Sequence, residues 1–95
     1  MRVDYLPSAT GDLDAVFWYI APHNEAAAER LIGRIKGSIN RLGDYPRIGS
    51  PRPELGRTIR TLSVSDYLVI YRVEQVVEII RVIHAARDVR SIDLT

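Results

Sequence analysis

The sequence predicts an α+β fold, in the order β-α-α-β-β-β, with an antiparallel helical hairpin packed on a mostly antiparallel four-stranded sheet. Three observations predict it. Residues 67–73 and 76–84 are two runs rich in Val, Ile and Tyr, split by Glu74-Gln75, which reads as a β-hairpin. Glu78 and Arg81 are the only charges in the second run before His84, so it is apolar on both faces and needs cover from elsewhere in the chain. Two amphipathic helical patterns between residues 8 and 42 supply that cover.

Taken in order, residues 1–6 alternate, with Val3 and Tyr5 against Arg2 and Asp4, which suits a short strand near a sheet edge. Pro7 ends it, and Ser8 is the expected N-cap of the first helix. Asp12 and Asp14 favour its early turns through the helix dipole. Leu13, Val16, Phe17 and Ile20 form its apolar face, and Pro22 stops it. Asn24 caps a second helix whose stripe is Ala28, Leu31, Ile32, Ile35, Ile39 and Leu42. Gly43 is expected to end that helix in the left-handed conformation. So short a break makes the two helices antiparallel. Each large side chain buried on their shared face contributes roughly 1.5–3 kcal/mol.

Residues 44–57 hold Pro46, Gly49, Pro51, Pro53 and Gly56 and read as irregular chain, too short to link domains. Thr58 to Val64 is a strand, with Arg60, Leu62 and Val64 on one side, and Ser65-Asp66 turns into the hairpin. Residues 85–95 read as a polar tail with room for one helical turn. Ninety-five residues predict one domain.

Composition excludes several classes. With no cysteine there is neither a disulfide framework nor a thiolate metal site. His23 and His84 have no metal-ligand spacing, so no metal or cofactor is expected. No apolar run is long enough to span a membrane and no signal peptide is evident, which points to the cytoplasm. A net charge of +1 does not suit a strongly basic nucleic-acid binder. Of the 13 basic residues only Lys36 is lysine. Arginine favours bidentate contacts to carboxylate or phosphate, although genome composition explains the bias as well.

The ordered set of the Ala- and Ile-rich helical hairpin, Tyr45-Pro46-Arg47-Ile48-Gly49, Arg60-Thr61-Leu62-Ser63-Val64, residues 67–72 and residues 80–88 resembles the RelE/ParE superfamily of bacterial toxins, on its ParE branch. The resemblance covers nearly the whole chain. It implies the toxin of a type II toxin–antitoxin system, held in a hetero-oligomer by a cognate ParD-like antitoxin. DNA would be met only indirectly, through that antitoxin. It further implies inhibition of DNA gyrase by binding, with no catalytic residues. RelE-type relatives instead cut mRNA on the ribosome, for which Arg60, His84 and Arg87 are the candidate residues here. Cutting RNA needs a base, a cation at the phosphate and an acid. Leu68 stands where RelE-type sequences commonly place arginine, residues 44–66 contain no lysine, and the chain ends without tyrosine. Only Arg87 matches a RelE catalytic arginine. These absences favour the gyrase branch.

Candidate partner-binding residues are therefore Trp18, Tyr19, Arg60, Arg81, Arg87 and Arg90. For each there is a structural alternative. Trp18 and Tyr19 are either partner anchors or the edge of the core. Arg60 and Arg87 either hold an acidic group or tie strands together through Asp66 or Asp88. His84 is either a general base or a strand-end histidine bonded to a backbone carbonyl or to Asp88. Tyr67 and Tyr71 share a strand face and are read as core.

Overall fold

The computed structural model describes residues 1–94. The elements are β1 (Val3–Tyr5), α1 (Pro7–Ile20), α2 (Glu25–Arg41), β2 (Ser50–Pro51), β3 (Ile59–Val64), β4 (Tyr67–Val73), β5 (Val77–His84) and a 3-10 turn (Val89–Ser91). The strands lie in the order β1-β5-β4-β3-β2. Only β1–β5 is a parallel pair; the other pairs are antiparallel. The α+β class and the helical hairpin on a mostly antiparallel sheet stand as expected. The sheet has five strands rather than four, because Ser50 and Pro51 of the irregular stretch pair with Thr61 and Arg60.

Helix α1 begins two residues earlier than its sequence signals suggest. Pro7 is its first residue rather than the stop of the strand, and Leu6 is the N-cap, without a side-chain hydrogen bond. Proline fits there because its missing N–H would have no helical partner and its φ is already helical. Ser8 is thereby freed from capping, and its hydroxyl donates to the Ile80 carbonyl at 2.8 Å. Asn24 does cap α2, accepting from the Ala27 N–H at 3.0 Å. At the other end of α2, Leu42 is the C-cap in right-handed conformation, and Gly43 does not have a positive φ. Glycine is useful at 43 for a different reason: a Cβ there would lie 3.0 Å from the Met1 carbonyl.

The helices cover one face of the sheet. Leu13, Ile35, Ile39 and Leu42 meet Val64, Val69, Tyr71, Val77, Ile79 and Val82. The opposite face carries Ile59, Leu68, Ile70, Ile80 and Ile83. A register shift divides β5 between the two. Ile70 pairs with Arg81 but Tyr71 pairs with Ile79, so Ile80 has no partner across the ladder. This bulge resets the alternation. Ile79 and Val82 consequently both face the helices, and Ile80 and Ile83 both face away. The tail is less polar in effect than in composition. It forms the single turn expected, and it also packs Ile92 against this second cluster, with Val89 and Leu94 beside it.

Tyr71 is fully buried at the junction of sheet and proline-rich loop. Its hydroxyl accepts from the Gly49 N–H at 2.9 Å and donates to the Pro46 carbonyl at 2.8 Å. Burial pushes the phenol above its usual 10.0, so it stays a donor at neutral pH. Gly49 permits this approach, since a Cβ there would be 2.5 Å from the hydroxyl. Tyr71→Phe should leave the Gly49 N–H without its partner and lower unfolding free energy by about 1–3 kcal/mol, read as a reduced urea midpoint. An unchanged midpoint would show that the clasp adds nothing.

Candidate partner-binding surface

Helix α1 carries more apolar surface than the core uses. Only Ala9 and Leu13 are buried in it, whereas Val16, Phe17 and Ile20 are half-buried. The C-terminal half of its apolar face therefore remains partly open. Trp18 and Tyr19 lie beyond that face and are 68% and 79% exposed. Neither extends the core edge; the Trp18 ring instead stands edge-on to Phe17, with centroids 5.2 Å apart. Between the two helices runs a groove of about 610 Å³, with Tyr5, Leu13, Phe17 and Ile32 among its lining and Asp14 and Lys36 at its rim.

The candidate arginines are not gathered in one place. Arg60 donates through one guanidinium nitrogen to the carbonyls of Arg47 at 3.1 Å and Gly49 at 2.8 Å. It anchors the loop through backbone oxygens, not through Asp66. Arg81 makes a two-point contact with Asp12, at 2.7 and 3.0 Å, and reaches the Asp93 carbonyl at 3.3 Å. Both side chains of the Arg81–Asp12 pair are less than one-fifth exposed. The same carboxylate accepts from the Val82 N–H at 2.9 Å. Asp12 thus lies beyond the first turn of α1 and serves β5, instead of the helix dipole. Bonding to Asp12 holds the Arg81 guanidinium above its usual range.

Asp88 pairs with Arg90 rather than with Arg87 or His84. It accepts from the Arg90 backbone N–H at 3.0 Å and from its side chain at 3.3 Å. Those two bonds, the backbone one first, hold its carboxyl below the usual 3.8. The Arg87 side chain is exposed, and no ion pair or side-chain hydrogen bond engages it among the described residues. His84 is exposed at the end of β5, and its Nδ1 accepts from the Ala86 N–H at 3.1 Å. Its partner is therefore a backbone N–H, where a carbonyl or Asp88 was expected. Its ring meets Tyr67 edge-on at 5.4 Å.

The three residues of a ribonuclease-type site are spread apart. Arg60 pairs with Tyr71, whereas His84 pairs with Tyr67, four residues along the same strand. That separation is roughly 13 Å at about 3.3 Å per residue. A scissile phosphate beside His84 and Arg87 would not meet Arg60. Among the described residues no group of three or more His, Asp or Glu is placed to hold a metal ion.

Sequence reading missed two exposed apolar residues, Tyr45 and Ile48, which are 59% and 46% exposed on the clasped loop. The available signal was large apolar side chains inside a stretch rich in proline and glycine.

A helical hairpin thus lies on a mixed sheet, with Trp18 and Tyr19 left in solvent on α1. The chain belongs to the ParE toxin family: the family described as "ParE toxin of type II toxin-antitoxin system, parDE" matches residues 3–89. Toxin ParE3 of Caulobacter vibrioides is 36% identical over 72 residues, 75% of this chain and 72% of that one. The Y4kP protein of Sinorhizobium fredii is 34% identical over 86 residues, 88% of each chain. In fold, the chain is similar to a solved structure described as the chromosomal ParDE TA system from P. aeruginosa. The TM-score is 0.77 at 22% identity, over 88% of this chain and 95% of the other.

Two outcomes follow from these contacts. Asp12→Ala leaves Arg81 and the Val82 N–H without their acceptor in a partly buried site. It should cost about 2–4 kcal/mol in chemical denaturation, with Asp12→Asn intermediate because an amide oxygen still serves Val82. For Asp88, a lowered folded-state pKa means that its cap is intact above 3.8 and is lost as pH falls through the folded value. Carboxyl NMR titration should find its midpoint below 3.8, and Arg90→Ala should raise that midpoint.

Proposed function

We propose that this ParE-family toxin acts by binding DNA gyrase, without breaking a bond itself, and that a ParD-like antitoxin made with it neutralises it in a hetero-oligomer. The observation that carries the binding mode is the exposure of Trp18 and Tyr19 next to the open half of the α1 face. Aromatic side chains dominate interface energetics, and an amphipathic helix or strand laid along the α1–α2 groove would bury Phe17 and Ile32 beside Trp18, while Tyr19 borders the depression on the other flank of α1. The ParDE description of the structural relative supports such a partner. Contact with DNA is then indirect, through the antitoxin. Action in the cytoplasm fits the family; among the described residues no helix is long and apolar enough to cross a membrane.

The reading as a binder rather than a nuclease is supported by the scatter of Arg60, His84 and Arg87. For the gyrase contact, Arg87 and Arg90 are the candidate side chains, since both are exposed. Arg81 is occupied by Asp12 and serves the fold first.

Supercoiling by purified gyrase should fall as the toxin approaches stoichiometric amounts, and added antitoxin should restore it. Ribosome-bound mRNA should stay intact under the same conditions; position-specific cuts abolished by His84→Ala would sink the gyrase reading. Trp18→Ala and Tyr19→Ala should each weaken antitoxin binding by about 1–3 kcal/mol in calorimetry while leaving the thermal midpoint unchanged.

A further inference from the structure

The groove between the helices has two walls of opposite charge. Thr10, Asp14 and Phe17, spaced i, i+4 and i+7, stand on the α1 side. Ile32, Lys36 and Asn40, spaced i, i+4 and i+8, stand on the α2 side. The helices form a hairpin, so Phe17 and Ile32 lie nearer the connection at residues 21–24, and Thr10 and Asn40 lie toward the far end. One wall therefore presents a carboxylate and the other an ammonium, each next to a half-buried apolar side chain.

Neither charge is neutralised within the fold. Asp14 and Lys36 are exposed, and no ion pair or side-chain hydrogen bond engages either among the described residues. They do not pair with each other across the groove. Asp12, two residues before Asp14, is by contrast bonded to Arg81 and to the Val82 N–H. A helix lying with its apolar stripe down between these walls turns one flank to each of them. Turning that helix end for end exchanges its flanks. Oppositely charged walls therefore distinguish the two directions, which an apolar groove alone does not.

We propose that Asp14 and Lys36 fix the direction in which a helix of the antitoxin lies in this groove, taking a basic flank against α1 and an acidic flank against α2. The inference rests on the antitoxin reading above and adds the charge pattern of the partner: an apolar stripe bordered by Arg or Lys on one side and by Asp or Glu on the other. A helix suits the walls, since four residues along each span about 6 Å, close to one turn of an incoming helix. Burial against Phe17 and Ile32 supplies affinity but is non-directional. Direction then has to come from groups that differ between the walls, and Asp14 and Lys36 differ by charge. Charged flanks beside an apolar seam set orientation in coiled coils in the same way, and repulsion in the wrong arrangement contributes to the choice as attraction does in the right one.

The antitoxin made with this toxin would be titrated into the purified chain and its variants by isothermal calorimetry. Asp14→Lys and Lys36→Glu should each weaken binding about fivefold, and the two together about tenfold or more. The double exchange leaves the net charge at +1, so its effect is local to the groove. Arg34→Glu, which reverses an exposed charge of α2 outside the groove, should change binding by less than about twofold. Circular dichroism melts would show that each variant is folded. Exchanging the basic and acidic flanks of the antitoxin helix should weaken binding to the original toxin and restore it to the doubly exchanged one. Unchanged affinity of the doubly exchanged toxin for the original antitoxin would overturn the inference, as would an antitoxin helix whose two flanks carry charge of one sign. If Trp18→Ala still weakens binding in that case, the antitoxin reading stands and the directional role alone is lost. An antitoxin that does not bind at all would remove both.

Discussion

The carboxylate of Asp12 holds the architecture at its most exposed seam. Strand β1 pairs with only three residues of β5, so the edge of β5 beyond Ile79 would otherwise present unpaired backbone to solvent. Helix α1 and the residue that caps it cover that edge, with one backbone group and two side chains. The Leu6 N–H donates to the Ile79 carbonyl, the Ser8 hydroxyl to the Ile80 carbonyl, and the Val82 N–H to Asp12. Asp12 then binds Arg81 at two points, and Arg81 reaches on to the Asp93 carbonyl. One aspartate therefore joins the helical layer to β5 and, through Arg81, to the terminal segment. Because the pair is partly buried, removing one partner costs more than the pair itself contributes.

The same region explains how β5 can be apolar on both faces. Alternation sends Ile79 and Ile80 to opposite sides, the bulge keeps Val82 with Ile79 and Ile83 with Ile80, and each side has its own cover. The helices cover one side, and Val89, Ile92 and Leu94 of the terminal segment cover the other. A chain of this length has little interior, so both covers contribute to the burial on which its stability depends.

Much of the architecture was legible in the sequence, because periodicity and strand composition report which faces are buried. The hairpin at 67–84, both helices and the Asn24 cap follow from local pattern alone. What local pattern misplaced are residues whose roles are set by distant partners. Ser8 looks like a cap but bonds to Ile80, and Asp12 looks like a dipole complement but bonds to Arg81 and Val82. Gly43 looks like a left-handed terminator but makes room for Met1. Strand β2 was hidden because two residues flanked by turns have no periodicity to detect. For the surface, sequence named Trp18 and Tyr19, yet their exposure depends on how far α2 reaches along α1. The arginines looked equivalent in sequence. Their different engagements, with Asp12, with loop carbonyls or with no partner among the described residues, follow from tertiary geometry.

The clasp between Tyr71, Pro46 and Gly49 has a kinetic corollary. A proline- and glycine-rich segment of this kind ordinarily samples many shapes, and a visitor must wait for, or impose, the right one. Here the hydroxyl of Tyr71 and the guanidinium of Arg60 set the segment before anything arrives, with Tyr45 and Ile48 already turned outward. A partner that docked on that side of the molecule would meet a loop already set, without a loop-ordering cost.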